Sequence, residues 1–155
     1  MKYFSTRNDR ETYTGAEAIA MGLAPGGGLF VPEKIPKVID AKTLERFCKL
    51  SYRELAQEIM QLYLDEFSAG ELAKFAAAAY ADNFDDPAVA PTRLLDDTTA
   101  FLELWHGPTC AFKDMALQML PHLLTSSLQK TGEKRRRLHF GCHLRRHRQG
   151  RAGGF

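Results

Sequence analysis

No run of about 20 apolar residues, the length a bilayer-spanning helix needs, occurs in this 155-residue sequence. The first fourteen residues carry Lys2, Arg7, Asp9, Arg10 and Glu11 and no apolar stretch, so the pattern of a secretory leader is missing. Cysteine is scarce. Cys48, Cys110 and Cys142 are an odd number at wide spacing, which argues against a disulfide framework and fits free thiols in a reducing compartment. A soluble, cytoplasmic protein is expected. No Gly-Lys-Ser or Gly-Lys-Thr follows the glycine run at 26–28 and no strand precedes it, so the nucleotide-loop pattern fails and the run reads as a structural turn in preference to a phosphate cradle. Acidic residues are missing beyond Glu133. All 19 lie at or before it, whereas eight of the 21 basic residues fall between Lys134 and Arg151. That leaves 13 basic against 19 acidic residues in 1–133, a net −6 concealed beneath the overall +2.

What is present suits one ordinary domain. A chain of this length that is 45% hydrophobic can bury roughly two-thirds of its unfolded surface. Three helix-start boxes occur, Thr14 with Glu17, Ser51 with Glu54 and Ser68 with Glu71, each able to exchange side-chain and backbone hydrogen bonds. After Ser51, the residues Leu55, Ile59, Leu62 and Tyr63 fall on one helical face; after Ser68, so do Leu72, Phe75, Ala76, Ala79 and Tyr80. Both stripes read as core-facing. The stretch Gly22 to Pro32 is broken by Pro25 and three glycines, so it reads as a loop entering a short strand. Residues 82–99, rich in Asp, Pro and Thr, read as a connector, and Phe101 to Trp105 as a strand. A turn at His106-Gly-Pro-Thr follows, and an apolar helix resumes from Asp114, interrupted by Pro121, which must kink or restart it.

Lys113 stands at that strand–helix junction. In open α/β sheets, ligands collect beyond the carboxyl ends of strands and at the N-termini of the following helices. A lysine there is near positive partial charge and partly desolvated, which lowers its pKa and frees its lone pair to attack a carbonyl. A lone lysine is usually a solvated surface residue; here the neighbours give it weight. His106-Gly-Pro-Thr-Cys-Ala-Phe-Lys-Asp114 resembles the cofactor-lysine motif of threonine synthases, in which a His-Gly-Pro-Thr turn leads to Phe-Lys-Asp. Tyr3 to Arg7 and Gly22 to Pro32 are similar to that family's opening, with Gly26 where the family usually has Asp. With Pro91-Thr92 ahead of the strand, the likeness spans residues 1–134.

The resemblance implies an α/β fold of the pyridoxal-phosphate-dependent type II, tryptophan synthase β-like kind, here incomplete. Residues 1–90 would be the amino-terminal region, 91–134 the start of the cofactor domain and 135–155 a basic tail. It implies pyridoxal 5'-phosphate as cofactor and O-phosphohomoserine as small-molecule substrate, converted with water to threonine and phosphate. Lys113 would hold the cofactor covalently and serve as general base. Phe112 and Asp114 become cofactor-binding candidates by adjacency, although each suits packing or capping equally well. His106 and Thr109 are candidates for the substrate region. Cys110 has no evident basic partner to make it a nucleophile. The alternative within the class is another lyase of this fold, such as a threonine dehydratase, but those relatives generally lack the long amino-terminal segment.

Beyond the lysine helix the family continues with a buried strand and a Ser-Gly-Asp-Thr-Gly loop, whereas residues 135–155 have no apolar periodicity and no acid. Back-translation of Cys142 to Phe155 with one base removed can read Ala-Thr-Ser-Gly-Asp-Thr-Gly-Lys-Ala-Ala-Leu-Glu-Gly-Phe. The same shift through 138–141 yields Cys-Ile-Leu-Val, a buried-strand sequence. A one-base slip near Arg135 to Arg137 is therefore expected. The chain would then be a partly stable fragment, inactive alone, with a disordered tail, or a gene product without a role. Basic clusters can bind nucleic acid, but no recognised fold or aromatic platform accompanies this one, so no nucleic-acid partner is expected. His139, Cys142, His143 and His147 match no established zinc spacing, and no metal is expected.

Overall fold

Three short strands and a helix come first along the chain. β1 (Tyr3–Ser5), β2 (Asn8–Tyr13) and β3 (Phe30–Pro32) make a sheet in the order β2-β1-β3, antiparallel throughout. Tyr3 pairs with Tyr13 on one side and Pro32 on the other, and a bulge falls between Phe4 and Ser5. Pro32 is tolerated because β3 is an edge strand. Between the strands lies α1 (Gly15–Met21), and the glycine loop returns the chain to the sheet. A Cβ on Gly28 would stand 1.9 Å from the Ser5 Oγ, so only glycine lets the loop approach β1 this closely. The run is a structural turn, as expected. This computed structural model describes residues 1–37 and 40–133.

Helices α2 (Ala41–Phe47), α3 (Tyr52–Tyr63) and α4 (Ala69–Ala79) follow, then a hairpin of β4 (Thr92–Leu94) and β5 (Ala100–Leu102), and finally α5 (Asp114–Leu117) and α6 (Leu120–Lys130). All three expected capping boxes form at α1, α3 and α4, with both reciprocal hydrogen bonds in each. Glu66 adds a second cap on α1 from 50 residues away. Its carboxylate accepts from the Gly15 and Ala16 N–H groups at 3.1 and 2.9 Å, where the helix's first amides have no intrahelical partner. Pro121 sits in the first turn of α6, where its missing N–H costs nothing, so the helix does restart there.

Among the described residues the core consists of two touching clusters. One holds Ala76, Ala79, Tyr80, Phe84, Val89 and Met119, the other Ala16, Leu64, Phe67 and Leu72, and Met60, Phe75 and Leu123 pack against both. Helix α6 lies on α1 and α4, and α3 lies on α4. On α4 the expected stripe is the buried one: Leu72, Ala76, Ala79 and Tyr80 are all inside. On α3 the expected face is rotated. Tyr52, Ala56, Met60 and Tyr63 point into the core, Leu55 turns to a groove and Ile59 is 39% exposed. The apolar band of α3 spans more than one stripe, and contact with α4 selects which line goes inward.

Two expectations for 82–105 need correction. The connector at 82–99 contains β4, and the strand expected at 101–105 is shorter, Ala100–Leu102. β5 pairs antiparallel with β4, and Phe101 and Leu102 are 54% and 58% exposed. An antiparallel pair needs only the tight turn at Asp96, whose carboxylate accepts from the Thr98 and Thr99 N–H groups. The residues 135–155, to which the basic tail, Cys142 and the frame slip belong, lie outside the described ones.

Candidate functional site

The hairpin, α3 and the 103–113 loop enclose an open groove of about 770 Å³. Tyr52 and Leu55 come from α3, Ala90 from the connector, Leu102 and Leu104 from the end of the hairpin, Phe112 and Lys113 from the loop, and Met115 to Leu117 from α5. The only charged group among these lining residues is Lys113. An apolar cleft of this size with a single charged group has the general form of a small-molecule site. Val89 helps to shape it. This buried, β-branched residue is held at φ 62°, a left-handed conformation that costs on the order of 1–2 kcal/mol. Its N–H donates to the Asp86 carbonyl, and Asp86 Oδ1 accepts from the Ala88 N–H at 2.8 Å, so a tight turn delivers Ala90 to the groove.

Lys113 immediately precedes α5 and its carbonyl accepts from the Ala116 and Leu117 N–H groups. Its Nζ stands 4.7 Å from the centre of the Phe112 ring, and that ring is 64% exposed. The order strand, turn, lysine, helix is present as expected. Two attributes expected of the lysine are not supplied by the described residues: its side chain is exposed, and α5 is a single turn with correspondingly little dipole.

The segment carrying Lys113 is held from inside by Asp114. This residue is fully buried, and its carboxylate accepts from the Thr109 N–H at 2.8 Å and from the Thr109 hydroxyl at 2.8 and 2.9 Å. Gly107 lies directly against it, with room for no side chain: a Cβ there would stand 2.5 Å from the Asp114 Cβ. Cys110, exposed and at φ 56°, donates its N–H to the Gly107 carbonyl and closes the His106-Gly-Pro-Thr turn. The structure therefore joins Thr109 to Asp114 and Phe112 to Lys113 as two separate pairs. Asp114 and Thr109 bond each other, while Phe112 and Lys113 face the groove.

His106 belongs to neither pair. Its Nδ1 lies 2.5 Å from Asp85 Oδ1 and its Nε2 lies 2.8 Å from Glu103 Oε2, and its carbonyl accepts from the Asp85 N–H. The bonds to Glu103 and then Asp85 push its pKa above the ordinary histidine value. Arg93 on β4 completes the cluster, 3.5 Å from Asp86 and 3.7 Å from Glu103. No local pattern marks Asp85, Glu103, Tyr52, Leu55 and Leu102 as site residues, because only the folded chain brings them together. Among the described residues no group of three or more His, Cys, Asp or Glu side chains is arranged to hold a metal.

Comparison with known proteins places this geometry. The solved, pyridoxal-phosphate-bound threonine synthase of Brucella melitensis superposes with a TM-score of 0.78 at 34% identity, covering 86% of this chain and 28% of that one. The yeast threonine synthase structure gives 0.75 at 37% identity, over 89% of this chain and 28% of that one. A curated threonine synthase of Schizosaccharomyces pombe is 40% identical over 137 residues, which is 86% of this chain and 26% of the relative. The fold is thus the amino-terminal part of the α/β, type II architecture of pyridoxal-phosphate enzymes. Residues 2–80 match the family model described as threonine synthase N terminus, and the chain belongs to that family. It spans about a quarter of the length of the relatives it matches.

Proposed function

We propose that this chain is the amino-terminal portion of a pyridoxal-phosphate-dependent threonine synthase, acting in the cytoplasm on O-phosphohomoserine and water to give threonine and phosphate. The observation that carries the reading is the exposed amine of Lys113, among the described residues the one charged group lining an apolar groove beside the Phe112 ring. The groove suits the cofactor: its apolar walls match a flat aromatic ring, and the accessible Nζ is the nucleophile that an aldehyde requires. Bound pyridoxal phosphate supplies an electron sink for negative charge on the substrate carbon bearing the amino group.

The residues of this chain do the rest. The Lys113 Nζ would hold the cofactor covalently and would serve as the base that moves protons at that carbon. The Phe112 ring, with Tyr52, Leu55, Leu102 and Leu104, would line the cofactor's place and limit water there. Asp114 and Thr109 fix the loop from which both side chains project. The division near residue 90 separates the amino-terminal region from the start of the cofactor domain. Contacts to the cofactor and substrate phosphates fall to the family's Ser-Gly-Asp-Thr-Gly loop, which a one-base slip near Arg135 to Arg137 would hide in the tail. An intact frame in independent reads of the gene would remove that explanation.

The test is borohydride reduction of the purified chain with pyridoxal phosphate, followed by peptide mapping. Label should concentrate on Lys113 and vanish from that peptide in Lys113→Ala, while the unlabelled protein releases no threonine from O-phosphohomoserine. Label spread evenly over the surface lysines defeats the assignment, and turnover by the chain alone defeats the fragment reading.

A further inference from the structure

We propose that His106 is the positioning residue of this site: by bridging Asp85 and Glu103 it fixes where the 107–113 loop leaves the hairpin, and so where Lys113 stands. The proposal rests on the reading of Lys113 given above, although the bridge itself does not.

Three separate stretches of backbone converge on this one ring. Asp85 lies in the connector after α4, Glu103 just beyond β5, and His106 at the entrance to the turn. The reciprocal bond from the Asp85 N–H to the His106 carbonyl makes the junction with the connector two-stranded. Both ring nitrogens are occupied by carboxylates, so the ring is not free to meet a ligand; it must donate from both sides, which only the imidazolium can do. Downstream, Gly107 is packed on Asp114, and Asp114 holds Thr109, so the frame is continuous from the bridge to the residue adjoining Lys113. A shift at His106 is passed on because close packing at Gly107 leaves no slack to absorb it.

The charges facing the ring are Asp85, Asp86 and Glu103, with Arg93 paired to Asp86 and Glu103. Because the folded-state pKa is raised, the bridge is fully stabilising below the unfolded histidine value of about 6.5. It is lost as pH rises through the higher folded value. Loop order should therefore fall on the alkaline side.

The experiment uses the full 155-residue chain and follows amide hydrogen exchange and the His106 ring by NMR. In His106→Asn, the Thr109, Cys110 and Asp114 amides should exchange about tenfold faster or more, while Leu72 and Ala76 in α4 keep their wild-type protection. His106→Arg, which restores a cation between the two carboxylates, should recover most of that protection. Asp85→Asn and Glu103→Gln should each lower the ring's titration point. Exchange at Thr109 and Cys110 within about twofold of wild type in His106→Asn overturns the proposal, as does a ring that titrates at the free-histidine value in the unaltered chain. Should His106→Asn also lose α4 protection, the Asp85→Asn and Glu103→Gln titrations decide: unchanged ring titration in both rejects the bridge. Absence of Lys113 labelling by pyridoxal phosphate in the unaltered chain would reject the cofactor reading alone, since the exchange comparison needs no cofactor.

Discussion

Asp114 carries a carboxylate into a place with no solvent, and such a group is tolerated only when its oxygens are hydrogen-bonded. Thr109 supplies both its N–H and its hydroxyl, and Gly107 supplies the space. Gly107→Ala forces a methyl to within 2.5 Å of the Asp114 Cβ, so the turn must open. A loss of about 1–3 kcal/mol is expected in urea denaturation, as for other overpacked sites; a change below about 0.5 kcal/mol, the range of surface substitutions, would show that the turn yields freely. The motif from His106 to Asp114 was legible as a series of residue types, and Lys113 stood out at once. What each neighbour does was not legible. Adjacency to Lys113 made Asp114 look like a cofactor contact, but whether a side chain points into a groove or back under its own loop is decided by closure of the turn. For His106 the partners lie 21 and three residues away, on segments whose approach no local pattern announces.

At the scale of elements, the helix starts were the most readable feature, because a capping box is satisfied within four residues and depends on nothing distant. The start of α4 shows how such a box acquires tertiary links. Glu71 accepts from the Ser68 N–H and hydroxyl, from Ser126 and from Lys130 on α6. The Ser68 backbone bond and then Lys130 depress its pKa to about 2. A depressed carboxylate stabilises the fold above its unfolded value, near 4.5, and that contribution is lost as pH falls toward 2. Stability measured by denaturation should accordingly fall more steeply between pH 4.5 and 2 in the parent chain than in Glu71→Gln, and Ser68→Ala should cost about 1 kcal/mol near neutrality. Parallel pH curves for the parent and Glu71→Gln would rule out this role. The inward face of α3 was less readable than its start. Tyr52, Leu55, Ala56, Ile59, Met60, Leu62 and Tyr63 form a band too wide to name one line, and α4 makes the choice by contact.

For the molecule as a whole, the hairpin is where sequence and structure part. The run Phe101 to Trp105 reads as a strand, yet the strand is short and among the described residues nothing covers Leu94, Leu95, Phe101, Leu102 and Trp105, which are all more than half exposed. The apolarity of a strand records the neighbours it is built to meet, and this chain corresponds to about a quarter of its relatives' length. The chain should enhance anilinonaphthalene sulfonate fluorescence and associate as its concentration rises, and Phe101→Lys should cut that fluorescence by about half. A parent chain that leaves the dye dark would mean the hairpin face is covered after all. The pairing of α6 with α1 acts on a different clock. Ile19 and Leu123 pack on one cluster although 104 positions separate them in the sequence, and translation proceeds at about 5–20 residues per second. On a ribosome, the first helix therefore spends roughly 5–20 s without α6, its apolar flank covered only in part by Leu64 and Phe67 once they emerge, an interval in which a nascent-chain chaperone has something to hold.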